Sequence, residues 1–161
     1  MLRVQKFKNN NILFIIIYSI SALMFAYYFE YFENYPPCEL CIYQRVPYFI
    51  SIFIGVTYLL VAIKDKIILN ILLLIFIFSF LVSGFHFGVE QKLWEYKSAC
   101  SSGANNFENI NDLRNFLENA PIVKCNEVLL SFWGISMATI NMILSFLMSL
   151  FILYNVKNCK T

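Results

Sequence analysis

The chain contains four long, mainly apolar blocks that have no charged residue. Each block is 18 to 23 residues long and contains no Asp, Glu, Lys or Arg; the blocks cover residues 12–29, 46–63, 67–85 and 132–154. A helix rises about 1.5 Å per residue, so roughly 20 apolar residues cross a hydrocarbon core of about 30 Å. The pattern therefore predicts an all-α membrane protein, a four-transmembrane-helix bundle that forms a single membrane domain over residues 1–161. We expect its helices over about residues 11–29, 42–63, 67–89 and 132–154.

The composition of the chain agrees with this prediction. Hydrophobic residues make up 60% of it and charged residues 14%, whereas a soluble domain carries about 45–50% apolar and about 25% charged residues. Four such helices buried in a soluble protein would leave little polar surface for water. Membrane lipid is therefore the expected surrounding, and the net charge of +2 gives no reason to expect nucleic acid as a partner.

The loops orient the four predicted helices. Both termini and the turn at residues 64–66 share one side, which has seven basic residues and one acidic residue, against five basic and nine acidic residues on the other. Because Lys and Arg are retained in the cytoplasm, both termini are expected there, with loops of about residues 30–41 and 90–131 outside. No small-x-small cleavage site follows the first block, so we expect it to remain as the first helix.

This topology separates the five cysteines of the chain. Cys38 and Cys41 form a Cys-x-x-Cys motif at the outer end of the second predicted helix, and Cys100 and Cys125 lie in the second outer loop. These four thiols face the compartment in which disulfides form and persist. Cys159 lies in the cytoplasmic tail, where we expect an ordinary free thiol.

Four outer thiols are compatible with a zinc site, with structural disulfides or with a redox centre. We predict no metal, because Cys100 and Cys125 are 25 residues apart and no histidine lies near either pair in the sequence. The only histidine, His86, is placed near the membrane. A structural role is a weaker explanation of Cys-x-x-Cys than exchange chemistry, because its bridge closes a very short loop and removes little chain entropy.

The surroundings of Cys38 and Cys41 favour thiol chemistry. Pro36 and Pro37 cannot continue a preceding helix, so a new helix is expected to begin near Cys38, with its positive dipole end beside the thiols. Arg45 follows Cys41 by four residues and shares its helix face. Its guanidinium can reach a thiolate or an oxygen held against it, or it can extend to lipid phosphates, and the spacing leaves both open.

The second outer loop contains the segment FENINDLRNFLENAP, residues 107–121. Its apolar residues recur near helical spacing with polar residues between them, and the proline ends the segment. The pattern predicts a short amphipathic helix, which lies either on the membrane surface or on the top of the bundle.

Three stretches of the chain resemble the DsbB family of membrane disulfide-forming oxidoreductases. PCELCIYQRVPY resembles the family's second-helix signature, a Cys-x-x-Cys followed by Gln/Glu-Arg. FHFGVEQKLWEYKSAC is similar to its passage from the third helix into the second outer loop, and VKCNEVLLSFWGISMATIN to its passage into the fourth helix. The resemblance covers most of the chain and all four outer cysteines in their order.

The resemblance implies a quinone-dependent protein thiol-disulfide oxidoreductase of the bacterial inner membrane, with its cysteine loops in the periplasm. Such a protein reoxidises a DsbA-like periplasmic thiol oxidase and passes electrons through two cysteine pairs to ubiquinone or menaquinone. Carried over by position, Cys100 is attacked by the partner's thiolate and Cys125 is its loop mate. Cys38 then exchanges with the loop pair, and Cys41 faces the quinone.

The resemblance also assigns roles around the quinone. Arg45 is expected to contact a ring oxygen and polarise it as charge builds during reduction. His86 and Glu90 lie one helical turn apart near the outer end of the third predicted helix. They either deliver protons to the reduced quinone or form a structural hydrogen-bonded pair.

Two other readings remain as alternatives. A vitamin K epoxide reductase type of enzyme is disfavoured, because its loop cysteines precede the Cys-x-x-Cys and here they follow it. A non-catalytic membrane subunit whose outer cysteines only form structural disulfides is the alternative from another class. Redox lability of the four cysteines distinguishes it from an oxidoreductase.

Overall fold

A computed structural model describes residues 2–61, 65–96, 125, 131–132 and 135–158 of the chain. Four long helices account for most of these residues, and each contains a segment long and apolar enough to span a membrane. They are α1 (Leu2–Tyr31), α2 (Glu39–Leu60), α3 (Asp65–Glu90) and α4 (Met137–Asn158). The predicted all-α membrane fold with four spanning helices is confirmed. The predicted amphipathic helix within residues 107–121 lies outside the described residues.

The start of α2 is set by the residues that precede it. Cys38 has an extended backbone and is the N-cap residue, and its Sγ accepts a hydrogen bond from the backbone N–H of Cys41. Pro36 and Pro37 come immediately before and cannot donate a backbone hydrogen bond to an earlier turn. The helix therefore begins beside the thiols, where the double proline predicts it.

The fourth helix begins later than its hydrophobic block suggests. Two short strands, β1 (Ser131–Phe132) and β2 (Ile135–Ser136), pair antiparallel, with Ser131 opposite Ser136. Ser136 then caps α4, since its Oγ accepts a hydrogen bond of 3.2 Å from the N–H of Thr139. The helix therefore starts at Met137, whereas the hydrophobic block predicts a start near residue 132. The two-residue pairing leaves the all-α class unchanged.

The helices pack around a core of aliphatic and aromatic side chains. α3 lies along α4, and α2 packs on both α1 and α3. Leu72, Phe76 and Ile152 are fully buried at the centre, while many large apolar side chains on the outer faces remain exposed, as a lipid-facing surface requires. Tyr18 and Tyr48 pack their rings against Phe76, which carries the core up towards the cysteine end of α2.

Gly55 of α2 leaves room for a side chain of α1. A Cβ atom at this position would lie 2.6 Å from Cγ1 of Ile16. Small residues allow helix backbones to approach each other in membranes, where dispersion contacts replace the hydrophobic effect as the main source of association. Gly84 is a matched comparison on α3, since its added Cβ would meet only the Met142 sulfur at 3.8 Å.

We expect Gly55→Ala to lower the free energy of unfolding by about 1–3 kcal/mol, the usual cost of overpacking. Gly84→Ala should leave it unchanged or raise it, because alanine is favoured over glycine within a helix by about 0.5–1 kcal/mol. Denaturant unfolding in detergent micelles, followed by circular dichroism, measures both. Equal effects of the two substitutions would show that the α1–α2 contact at Ile16 is not close.

Candidate functional site

Cys38 and Cys41 lie within one turn at the N-terminus of α2. Their Sγ atoms are 2.9 Å apart, with Cys38 donating its S–H, and the N–H of Cys41 donates to Cys38 Sγ at 3.4 Å. Cys38 is buried and Cys41 is half-buried. The pair is therefore held at a separation from which a disulfide forms with little movement of the backbone.

Cys125 joins this pair from a distant part of the chain. It is buried in a small cluster with Cys38, Leu40 and Val89. The Cys38 side chain and the backbone of Leu40 and Glu39 are close enough to influence the pKa of its thiol. Three of the four predicted site cysteines thus meet at one end of the bundle, whereas Cys100 and Cys159 lie outside the described residues.

Both buried thiols hold their protons strongly. The hydrogen bond from Cys38 to Cys41, together with burial, raises the pKa of Cys38 to about 12. Burial raises the pKa of Cys125 to about 11. Since the thiolate is the nucleophile, exchange between these sulfurs requires that a neighbouring group or an incoming partner remove the proton.

Arg45 lies one turn further into the bundle than Cys41. Its Nη1 donates to the Glu30 carboxylate of α1 at 2.5 Å, and its guanidinium stacks over the Tyr27 ring at 4.7 Å. The two charged side chains are 13% and 21% exposed. The spacing predicts a thiolate, an oxygen held against it or a lipid phosphate as the partner of Arg45, and the structure adds the Glu30 carboxylate. Glu30 was missed, although its place at the outer end of the first apolar block puts it at the same depth.

His86 lies against the cysteines in space. Its Nε2 is 3.6 Å from Cys38 Sγ, its Nδ1 is 3.0 Å from the Gln44 amide, and Nε2 is also 3.7 Å from Glu90 Oε1 one turn along α3. His86 is distant from the cysteines in the sequence, but it contacts Cys38 in the structure. The expectation that no histidine lies near the cysteine pairs is therefore wrong, because the end of α3 packs against the start of α2.

The sulfurs of Cys38 and Cys41 and a ring nitrogen of His86 lie within 4.8 Å of one another. A cation could bridge atoms at such a spacing. Both imidazole nitrogens already have partners, however, in Gln44 and Cys38. The histidine is therefore satisfied by the protein itself.

Gln44 and Asn141 extend the site into the bundle. Asn141 of α4 donates to Gln44 at 3.2 Å and to Ser83 at 2.7 Å, and it accepts from the Tyr48 hydroxyl. Sequence reasoning did not select these residues. The available signal was their polarity inside apolar blocks, because a polar side chain within a membrane span marks an interior position with partners.

A cavity of about 520 Å³ opens beside the cysteines. Its wall is mainly apolar and comes from all four helices and from the residues that precede α2. Glu90 is buried there, and its Oε2 finds no hydrogen-bond partner among the described residues. Such a cavity suits a flat, apolar ligand that carries oxygen atoms. The polar side chains that line it include Glu30, Cys38, Cys41, Gln44, Arg45, Tyr48, His86, Glu90 and Asn141.

Comparison with known proteins relates the whole bundle to one family. The family model described as disulfide bond formation protein DsbB matches residues 8–155. The chain is 31% identical over 150 residues to uncharacterized protein RP370 of Rickettsia prowazekii (strain Madrid E), which covers 92% of this chain and 87% of that protein. No solved structure matches the chain significantly. The family match includes all four outer cysteines.

We expect alkylation of Cys38 and Cys125 in the reduced, folded protein to be slow at neutral pH. Below its pKa a thiol keeps its proton, so each rate should rise roughly tenfold per pH unit up to about pH 10 without levelling. Iodoacetamide labelling with peptide mass spectrometry measures this. In denaturant, both profiles should level near the ordinary thiol pKa of about 8.5. A plateau below about pH 9 in the folded protein would contradict the burial of these thiols.

Proposed function

The chain belongs to the DsbB family of disulfide bond formation proteins, and we propose that it reoxidises a DsbA-like thioredoxin-fold partner and passes the electrons to quinone. Family membership and the four spanning helices make it a multi-pass membrane thiol-disulfide oxidoreductase. We place it in the bacterial inner membrane with both termini cytoplasmic and the cysteine loops periplasmic. A DsbA–DsbB–quinone system keeps the bacterial periplasm oxidising.

The contact between Cys125 and Cys38 carries the proposal. These residues belong to different predicted cysteine pairs, and they nevertheless lie in one buried cluster. Disulfide exchange requires a thiolate to approach a disulfide sulfur, so contact between the two pairs is the geometric condition for moving electrons from one to the other. A protein whose cysteines only stabilised separate loops would not need this contact.

In the proposed order of exchange, electrons pass from the partner through the loop cysteines to the Cys38–Cys41 pair. The partner's thiolate attacks Cys100 in a Cys100–Cys125 disulfide, forms a mixed disulfide and releases Cys125 with the electron pair. Cys125 then attacks Cys38 in a Cys38–Cys41 disulfide; the Cys125–Cys38 bond forms, the Cys38–Cys41 bond breaks, and the electron pair leaves on Cys41. The partner's second thiolate attacks the mixed disulfide, so that the oxidised partner leaves and Cys100 is released as a thiolate. Cys100 then attacks Cys125; the Cys100–Cys125 bond forms again, and the Cys125–Cys38 bond breaks with its electron pair on Cys38. Cys38 is the buried sulfur that contacts Cys125, and both sulfurs of the pair line the cavity, which supports this order.

The cavity beside Cys41 fits a quinone ring. Its volume of about 520 Å³ is in the usual range for small-molecule sites, and its apolar wall matches an apolar ring. The unpartnered Oε2 of Glu90 in its lining fits a ligand that carries a proton during the reaction. Ubiquinone or menaquinone bound here would supply an acceptor for two electrons and two protons.

Arg45 is placed to hold a ring oxygen. It lines the cavity one turn below Cys41, and the Glu30 carboxylate and Tyr27 ring fix its side chain. A fixed guanidinium favours negative charge where that charge develops during reduction, and it needs no reorganisation at that moment. Arg45 is therefore proposed as a quinone-binding residue that Glu30 positions.

His86 and Glu90 are proposed as the residues that hold protons near the quinone. They form a close pair on α3, with His86 Nε2 and Glu90 Oε1 at 3.7 Å, and both line the cavity. His86 also contacts Cys38, so it connects the thiol that loses a proton to the cavity. A purely structural pair would not require either side chain to reach the cavity.

Purified protein mixed with ubiquinone and a reduced thioredoxin-fold partner tests the function. We expect quinone absorbance and partner thiols to fall together, with Cys100→Ala abolishing both changes and Cys159→Ser leaving both unaffected.

Arg45→Ala should raise the KM for quinone at least roughly tenfold, as expected for loss of a charged hydrogen bond, while the partner still exchanges with the loop disulfide. Four permanently oxidised cysteines and no quinone reduction would favour the non-catalytic membrane subunit.

A second experiment tests the order of exchange. In the Cys41→Ser, Cys100→Ser variant we expect mild oxidation to join Cys38 to Cys125, because these residues lie in one buried cluster. The Cys38→Ser, Cys100→Ser variant, which leaves Cys41 and Cys125, should form its bridge several-fold more slowly. Non-reducing peptide mapping measures both. Faster bridging through Cys41 would contradict the proposed order.

A further inference from the structure

A chain of hydrogen-bonded side chains connects the interior of the bundle to Cys38. It runs from Ser83 of α3 through Asn141 of α4 and Gln44 of α2 to His86, again on α3. The last member contacts Cys38 Sγ. We call Ser83, Asn141, Gln44 and His86 the polar relay. Each member accepts or donates in a direction that its neighbours determine.

A backbone carbonyl determines which group donates and which accepts along the polar relay. Ser83 Oγ donates to the carbonyl oxygen of Ser79 at 2.8 Å, and a carbonyl can only accept. Ser83 has therefore used its single hydroxyl proton and must accept from Asn141, 2.7 Å away. The Asn141 atom that faces Ser83 is Nδ2. Its Oδ1 then faces the Tyr48 hydroxyl, which donates to it.

The donor and acceptor roles of Asn141 determine those of Gln44 and His86 in turn. Asn141 Nδ2 gives its second proton to Gln44 Oε1 at 3.2 Å. The amide nitrogen of Gln44 must then face His86 Nδ1, at 3.0 Å, and donate to it. A ring nitrogen that accepts carries no proton, so neutral His86 holds its proton on Nε2. Cys38 Sγ is the hydrogen-bonding neighbour of Nε2, at 3.6 Å.

If donors and acceptors were exchanged along the polar relay, two hydrogen bonds would be lost, from Ser83 to the Ser79 carbonyl and from Tyr48 to Asn141. Ser83 would have to take its proton away from the Ser79 carbonyl, and the Tyr48 hydroxyl would be left with Ser145 Oγ at 3.5 Å as acceptor. Ser79, Ser83 and Ser145 are fully buried, so water does not replace a lost partner. Buried groups that lose a partner cost more than the same groups do at a surface.

We propose that Ser83, Asn141 and Gln44 are positioning residues that hold His86 as its Nε2–H tautomer, with the N–H directed at Cys38 Sγ. Glu90 Oε1, 3.7 Å from the same nitrogen, is the charged group beside it on α3. The N–H then stabilises Cys38 when this sulfur carries negative charge. The consequence for exchange rests on the proposed function: when Cys100 attacks Cys125 and breaks the Cys125–Cys38 bond, the electron pair leaves on Cys38.

Nitrogen NMR of the single histidine tests the tautomer directly. The chain contains one histidine, so protein labelled with nitrogen-15 histidine gives ring signals from His86 alone. In reduced protein in micelles at about pH 8, couplings to the ring carbon-bound protons identify which ring nitrogen carries the proton. We expect it to be Nε2. A proton on Nδ1 overturns the proposal.

Substitutions in the polar relay test its direction. Gln44→Glu replaces the amide with a group that only accepts, so the proton should move to Nδ1 with little change of shape. Ser83→Ala should give a mixture of tautomers, whereas Ser83→Thr keeps the hydroxyl and the wild-type signal. Ser19→Ala is the matched control, since Ser19 is also fully buried and bonded to a carbonyl in its own helix. A tautomer unaffected by Gln44→Glu overturns the proposal.

The effect on Cys38 is tested separately with reduced Cys41→Ser, Cys125→Ser protein. His86→Gln places an amide N–H near the position of Nε2, whereas His86→Asn does not reach it. We expect alkylation of Cys38 to fall roughly tenfold with His86→Asn, the loss of one hydrogen bond to a charged group, and about twofold or less with His86→Gln. Equal rates overturn the role of the N–H. Neither readout involves the partner or quinone, so failure here is distinct from failure of the proposed function.

Discussion

The hydrogen bond from the Cys41 amide to Cys38 Sγ sets the start of α2, and the site is arranged around that sulfur. Capping by a thiol places a reactive atom at the positive end of the helix dipole, which favours negative charge. The hydrogen bond to Cys41 and burial outweigh this effect in the reduced protein and raise the pKa of Cys38. The Cys41 thiol and the His86 ring contact the same sulfur, and Cys125 lies in the same buried cluster. The helix terminus is thus at once a structural cap and the junction between two cysteine pairs.

The membrane imposes the second constraint. A polar side chain inside a spanning helix must find its partner within the protein, because lipid offers none. Gln44 and Asn141 meet this requirement across three helices, and Arg45 meets it through Glu30 and Tyr27. The same contacts that satisfy buried polarity also fix the rotamers around the cysteines, so the site is rigid as a result of its surroundings.

Much of the fold could be predicted from local patterns. Uncharged blocks of about 20 residues identify four spanning helices, and the double proline before Cys38 predicts the start of α2. The fourth helix shows the limit, since hydropathy alone does not distinguish β1 and β2 from the first turn of α4. Its true start depends on the cap supplied by Ser136.

The amino-acid sequence by itself determined the membrane class, the four helices, the Cys-x-x-Cys motif and its spacing to Arg45, because each is a property of residues close together in the chain. Only the tertiary structure decided that His86 and Cys125 meet Cys38 and that Glu30 binds Arg45. These contacts depend on how each helix is rotated about its own axis. Helices that are apolar around their whole circumference do not show which face turns inward, and that face is chosen when all four helices pack together.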